Sequence, residues 1–330
     1  MTATELTPLL AARAEDVCRH LLPNGRVDHG NWVTGSVSDD QGKSLHVQLT
    51  GDRAGVWLDF ATGDKGDLIG LWKSVTGLSL KDSCQAAQQF LGIAPEPELR
   101  PEPTKAWTQL QREMGRGTED DVITLQALRR LPSPDGLFSA IESGHLFFGP
   151  VFDKPANAPG TYLHSWIITD SARFGAQARR MDGQPYGDGQ KSKTIHGTTG
   201  RWPVGIADTP DGFDIALVEG GPDFLAAYTA LAMLGLLEGI QPVSMLGSQQ
   251  SIHPEALPKF ANRKVWVFPH RDENLAGLQG AVRWERVLRG AGATVIGFDF
   301  SLYPGVKDLN DFVSALCPAP DTSGMEIMEM

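Results

Sequence analysis

Cysteine is scarce in this chain, and the few present stand far apart. Cys18, Cys84 and Cys317 are the three among 330 residues. Neither a disulfide framework nor a closely spaced set of zinc ligands can be built from them. Long apolar runs are missing as well. The longest, Phe224 to Leu237, is interrupted by Tyr228, Thr229 and Gly235, and a membrane-spanning helix needs about 20 apolar residues. Near the N-terminus, Glu5, Glu15 and Asp16 replace the basic-then-apolar pattern of a secretory leader. A soluble, cytoplasmic protein is expected. Positive charge is in deficit too. A formal charge of −11 argues against a protein that coats nucleic acid without discrimination, because neutralising phosphates takes Lys and Arg. Three catalytic signatures fail on spacing: the histidines form no H-E-x-x-H, Gly220-Gly221 is no dinucleotide fingerprint, and Gly42-Lys43-Ser44 has Val37 where a P-loop needs glycine.

What remains is the composition of a folded protein, 41% hydrophobic and 21% charged. The alternating Pro and Glu of residues 94–103 can build neither a helix nor a central strand. The chain therefore divides into a first domain (1–93), a Pro/Glu-rich linker (94–118), a basic subdomain (119–211), a final domain (212–316) and a flexible acidic tail (317–330). In the first domain an amphipathic stretch from Leu9 to Leu22 precedes short strands at Trp32–Val37, Leu45–Leu49 and Val56–Phe60. Helices near Asp67–Val75 and Leu80–Leu91 follow. The pattern is a small antiparallel sheet with flanking helices, its core holding Trp32, Trp57, Phe60 and Trp72. From Phe213 onward, short β-branched runs alternate with helical segments, the signature of a mainly parallel sheet of βα units. Strands are expected at Ile215–Val218, Val243–Leu246, Val265–Phe268 and Thr294–Phe298.

Ligands of open parallel sheets bind beyond the carboxyl ends of the strands. Here those ends carry Glu219-Gly220-Gly221-Pro222-Asp223, His270-Arg271-Asp272-Glu273-Asn274 and, after the last strand, Asp308-Leu309-Asn310-Asp311. Acidic residues at such positions also serve as helix N-caps and dipole partners. Three acidic groups converging on one rim repel one another unless a cation intervenes, and Mg²⁺ or Mn²⁺ is the economical partner.

These residues resemble the Toprim domain, the metal-binding catalytic fold of bacterial-type primases, topoisomerases and some nucleases. The segment Ala216–Asp223, the apolar strand into Pro269-His270-Arg271-Asp272 and the closing Lys307-Asp308-Leu309-Asn310-Asp311 carry the resemblance. It implies an α/β Toprim domain in which Glu219 is the motif glutamate and a catalytic group. Asp272 is the second catalytic carboxylate, and Glu219, Asp272, Asp308 and Asp311 hold the metal. The usual aspartate–x–aspartate pair is altered: either His270 and Asp272 fill it, or Asp272 and Asn274 do, with Gly277 as the following glycine. Both alignments replace one carboxylate, which weakens the site for a hard cation.

Upstream, Arg173, Arg179, Arg180, Lys191, Lys193 and Arg201 lie among glycines that allow backbone to approach phosphates. The stretch is similar to the basic subdomain that precedes the Toprim fold in primases, which implies contacts with nucleic acid or nucleotide. The first domain, through Leu22–Arg26, Trp32 and Gly55–Ile69, resembles the zinc-ribbon-type domain of phage and mobile-element primases, which contacts template DNA. Ligands in closely spaced pairs are missing, so a version without zinc is expected, with Arg26, Arg53 and Lys65 available to single-stranded DNA. The resemblance as a whole implies a DNA primase of a phage, plasmid or mobile element, joining ribonucleoside triphosphates on single-stranded DNA beside a replicative helicase. A Toprim nuclease and a catalytically impaired DNA-binding replication factor share the same features.

Overall fold

The computed structural model describes residues 2–93, 102–155, 158–271 and 276–316. Asp272, Asn274, the Pro/Glu-rich core of the expected linker and the acidic tail lie outside the described residues. The chain forms two compact units that divide at Leu99.

In the first unit, α1 (Ala3–Ala11), α2 (Ala14–Leu21), α3 (Leu68–Thr76) and α4 (Leu80–Phe90) accompany a five-stranded antiparallel sheet of order β1-β2-β3-β4-β5. Its strands are β1 (Arg26–Asp28), β2 (Asn31–Thr34), β3 (Leu45–Gln48), β4 (Trp57–Asp59) and β5 (Lys65–Gly66). The expected single amphipathic stretch is two helices, broken where Arg13 leaves helical geometry at φ −124°. Asp67 starts α3 by accepting the Gly70 N–H at 2.8 Å, and Gly77 ends it in the left-handed region at φ 67°. One register row, Val27–Trp32–Val47–Trp57–Gly66, crosses all five strands. Trp32, Val47 and Trp57 in this row join Leu6, Leu10, Leu71 and Trp72 in the core. The indole N–H groups of Trp32 and Trp57 donate to the carbonyls of Leu22 and Asp67, so the buried rings leave no polar atom unpaired. Phe60 is a correction. It is 67% exposed, because side chains alternate along a strand and Trp57 and Asp59 take the buried face. Phe60 falls on the outer one, edge-on to His46.

The second unit opens with α5 (Lys105–Glu113), α6 (Glu119–Arg129) and α7 (Asp135–Glu142). The helix α5 falls within the span read as a linker, capped by Thr104 and anchored by buried Trp107 and Leu110. An antiparallel sheet follows, β6 (Leu146–Asp153), β7 (Thr161–Thr169), β8 (Ala176–Arg180) and β9 (Lys193–Thr194), in that order. Both faces are covered. Leu146, Phe148, Trp166 and Ile168 join a core with α8 (Gly220–Met233). Val151, Ile167 and Ala178 face Trp107 and Leu110.

The last layer is the parallel sheet that the sequence implies: β10 (Asp214–Glu219), β11 (Ile240–Met245), β12 (Lys264–Val267) and β13 (Thr294–Gly297), in order β11-β10-β12-β13. The helices α8, α9 (Ala276–Gly290) and α10 (Leu309–Ser314) accompany it. Ile215–Val218 is buried throughout, as a central strand covered on both faces requires. Because β11 and β12 flank β10 on opposite sides, the chain reverses direction across the sheet there. That is a topological switch point, where open α/β sheets leave a crevice.

Candidate functional site

Three segments meet at the carboxyl edge of β10 and β12. Glu219 ends β10, and Gly220 turns the chain into α8 at φ 76°. Gly221 lets the turn approach the antiparallel sheet, since a methyl group there would lie 2.6 Å from the outer ring of Trp166. Asp223, one helical turn beyond Glu219, is 1% exposed at its side chain. His270 follows β12, where Gly277 of α9 comes too close to its backbone to carry a side chain. Asp308 caps α10 by accepting the Asp311 N–H at 2.7 Å. The Arg271 N–H bonds to the Lys307 carbonyl at 2.8 Å and ties the two loops together.

The polar atoms converge. His270 Nε2 lies 2.7 Å from Asp223 Oδ2, and His270 Nδ1 lies 3.9 Å from Glu219 Oε2. Asp223 Oδ1 accepts the Asn310 N–H at 3.0 Å, and Glu219 Oε1 accepts the Ser248 N–H at 2.8 Å. Glu219 Oε2 is buried with no hydrogen-bond partner. Asp223, His270 and Asp308 each bring a ligand atom to within 4.8 Å of the others. Burial and the Asp223 charge raise Asp308 to about 6. Burial opposes a charged His270, but the hydrogen bond to Asp223 and the charges of Asp223, Glu219 and Asp308 outweigh it, raising the imidazole to about 9. The acidic groups are thus balanced partly by a resident imidazolium.

The donor set fits a divalent cation. Two carboxylates supply hard oxygens, and the imidazole supplies a borderline nitrogen once the incoming cation displaces its proton, which favours Mn²⁺ over Mg²⁺. Glu219 Oε2 is a further oxygen in search of a partner.

The expected site residues separate into those gathered here and those held elsewhere. Glu219, His270 and Asp308 come together. Asp311 turns its carboxylate to the Lys307 N–H at 3.2 Å and supports Asp308 through its own N–H. Asp272 and Asn274 lie outside the described residues. Among the cations, Arg179 shares the face of β8 that carries Gln177, opposite Trp166 in the register. Gln177 on that face accepts the Gly221 N–H at 3.1 Å. Burial and neighbouring Arg129 push the Arg179 guanidinium down to about 10, against the pull of Asp223, Tyr186 and Asp308. Its Nε has no hydrogen-bond partner.

Arg180 points the other way, paired with Asp182. Lys193 lies over the Tyr186 ring and donates to the Phe152 carbonyl. Arg173 lies over Phe147, Arg201 is buried beside the Ser251 carbonyl, and Lys191 is exposed. In the first unit the row Arg26–Val33–His46–Leu58–Lys65 runs along the other sheet face beside Phe60, with Val33 buried, His46 and Leu58 half-buried, and Arg26 and Lys65 exposed.

Asp223, Arg129 and Gln177 were given no site role from the sequence. A signal existed for Asp223: its four-residue spacing from Glu219 returns it to the same edge once a helix starts at Gly220. None existed for Arg129 or Gln177.

No protein-family model and no curated protein matches the chain. Among solved structures, the zinc-binding and RNA polymerase domains of the Aquifex aeolicus primase align with a TM-score of 0.41 at 18% identity, over 94% of this chain and 81% of that chain.

Proposed function

We propose that this chain is a primase-like nucleotidyltransferase that joins ribonucleotides on single-stranded DNA in the replication of a phage or mobile element. The observation that carries the reading is the meeting of Asp223, His270 and Asp308, donor atoms within 4.8 Å, at the switch point of a parallel sheet. The Toprim-like motifs around Glu219, His270 and Asp308 add to it. Asp223, His270 and Asp308 would hold a divalent cation, with Asp272 as a further carboxylate. When bound, that cation draws charge from the transferring phosphoryl group. Glu219 Oε2, which makes no hydrogen bond although His270 Nδ1 lies 3.9 Å away, accepts the proton of the attacking hydroxyl. Arg179 faces the same edge and neutralises nucleotide phosphates. The outer sheet face of the first unit, with Arg26, Lys65, His46 and Phe60, offers stacking and phosphate contacts to the template.

The test is primer synthesis on single-stranded DNA with labelled ribonucleotides and Mg²⁺ or Mn²⁺. The reading expects products that disappear in Glu219→Gln and Asp308→Asn. Synthesis unaffected by both substitutions would overturn it.

One observation favours a second reading, a DNA-binding replication factor without catalysis. His270 sits between Asp223 and Glu219, where its imidazolium already neutralises the acidic groups. This reading expects DNA binding that is indifferent to Mn²⁺ and to Asp308→Ala.

A further inference from the structure

Arg129 ends α6, and Asn310 lies in the first turn of α10, 181 positions further along. Arg129 Nε and Nη2 both donate to Asn310 Oδ1, at 3.0 and 2.8 Å. Asn310 Nδ2 returns a hydrogen bond to the Arg129 carbonyl at 3.2 Å and another to Ser314 Oγ at 3.0 Å. Ser314 Oγ donates to the same carbonyl at 3.2 Å. Every polar atom of the Asn310 side chain is therefore committed to this junction. Its backbone N–H, on the other side, donates to Asp223 Oδ1, whose second oxygen bonds His270. Asp308 caps the same turn of α10.

We propose that Arg129 is a positioning residue for the cation site: its fork onto Asn310 fixes the first turn of α10, and through it the carboxylates of Asp223 and Asp308. The inference rests on the cation reading given above. A six-residue helix has little stability of its own, so the position of that turn is set by what grips it. Groups that orient metal ligands typically govern affinity by 10–100-fold.

Arg129 also carries charge close to the site, and the two roles predict opposite signs. A cation near a cation site weakens metal binding, so a charge-only role makes Arg129→Gln bind more tightly and leaves Arg129→Lys unchanged. A positioning role weakens both, because lysine keeps the charge but cannot form the fork.

The experiment is calorimetric titration of the full chain with Mn²⁺, accompanied by hydrogen exchange of the Asn310 amide in the metal-free protein. Arg129→Gln and Arg129→Lys are each expected to bind about 10-fold or more weakly, with faster exchange at Asn310. Tighter binding by Arg129→Gln with unchanged Arg129→Lys overturns the inference, as does wild-type affinity and exchange in both. Ser314→Ala removes two hydrogen bonds from the junction, the one it accepts from Asn310 and the one it donates to the Arg129 carbonyl, and serves if neither Arg129 variant folds. It is expected to bind about threefold more weakly, and wild-type affinity there overturns the inference. Wild-type protein that takes up no Mn²⁺ overturns the cation reading itself, which distinguishes that failure from failure of the positioning role.

Discussion

Gln177 of β8 joins the antiparallel sheet to the turn that carries Glu219: its Oε1 accepts the Gly221 N–H at 3.1 Å, and its Nε2 donates to the Leu246 carbonyl at 3.3 Å. The side chain is buried, so both backbone groups depend on it. Gln177→Leu strands a donor and an acceptor away from water. It is expected to cost about 2–4 kcal/mol, read as a lower urea midpoint at unchanged slope.

Gly221 and Trp166 make a second such joint. Gly221→Ala places a methyl 2.6 Å from the outer ring atoms of an indole that is 1% exposed and cannot move aside. The turn should shift, at a cost of about 1–3 kcal/mol, and nucleotide incorporation should fall with it. Trp166→Phe removes the offending ring atoms, and the indole nitrogen there has no partner to lose. The double variant should recover stability relative to Gly221→Ala, and a thermal-melt cycle of the four proteins checks this.

Neighbouring arginines should differ because a strand alternates its faces. Arg179→Ala should weaken nucleotide binding and flatten its salt dependence, as loss of a phosphate contact does. Arg180→Ala, on the opposite face and already paired with Asp182, should change neither. Equal effects of the two in a salt series would remove Arg179 from the site.

On the first unit, Phe60→Ala should weaken single-stranded DNA binding by the full chain about 10-fold, within the 1–3 kcal/mol that a base-stacking aromatic contributes. Trp72→Phe, altering a buried ring, should leave binding unchanged. Fluorescence anisotropy with a labelled oligonucleotide compares them.

Acid stability should depend on Asp208. Burial raises it, but hydrogen bonds from His145 and Ser171 prevail and hold it at about 2. Its folded value is depressed, so the stabilisation is complete above its unfolded value near 4 and is lost as pH falls toward 2. After allowance for solvent screening it amounts to about 1 kcal/mol. Denaturant midpoints of wild type and Asp208→Asn should converge across that window.

Much of this protein was legible in order along the chain. Alternating β-branched and helical segments after Phe213 define a parallel sheet because periodicity is a property of neighbouring residues, and hydrophobic burial acts on it directly. The same pattern placed Glu219, His270 and Asp308 beyond strand ends, where open sheets leave their crevice. Phe60 was misjudged by hydrophobicity alone, although the period of two through Trp57 and Asp59 assigns it to the outer face.

Tertiary structure decided the rest. Whether Arg179 or Arg180 faces the acidic edge depends on the register of β8 against β7. The grip of Arg129 on Asn310 depends on two helices distant in sequence packing side by side. Such contacts leave no periodic trace in either segment, since each is selected by the shape and unpaired polar atoms of the other, and these exist only once the chain has folded.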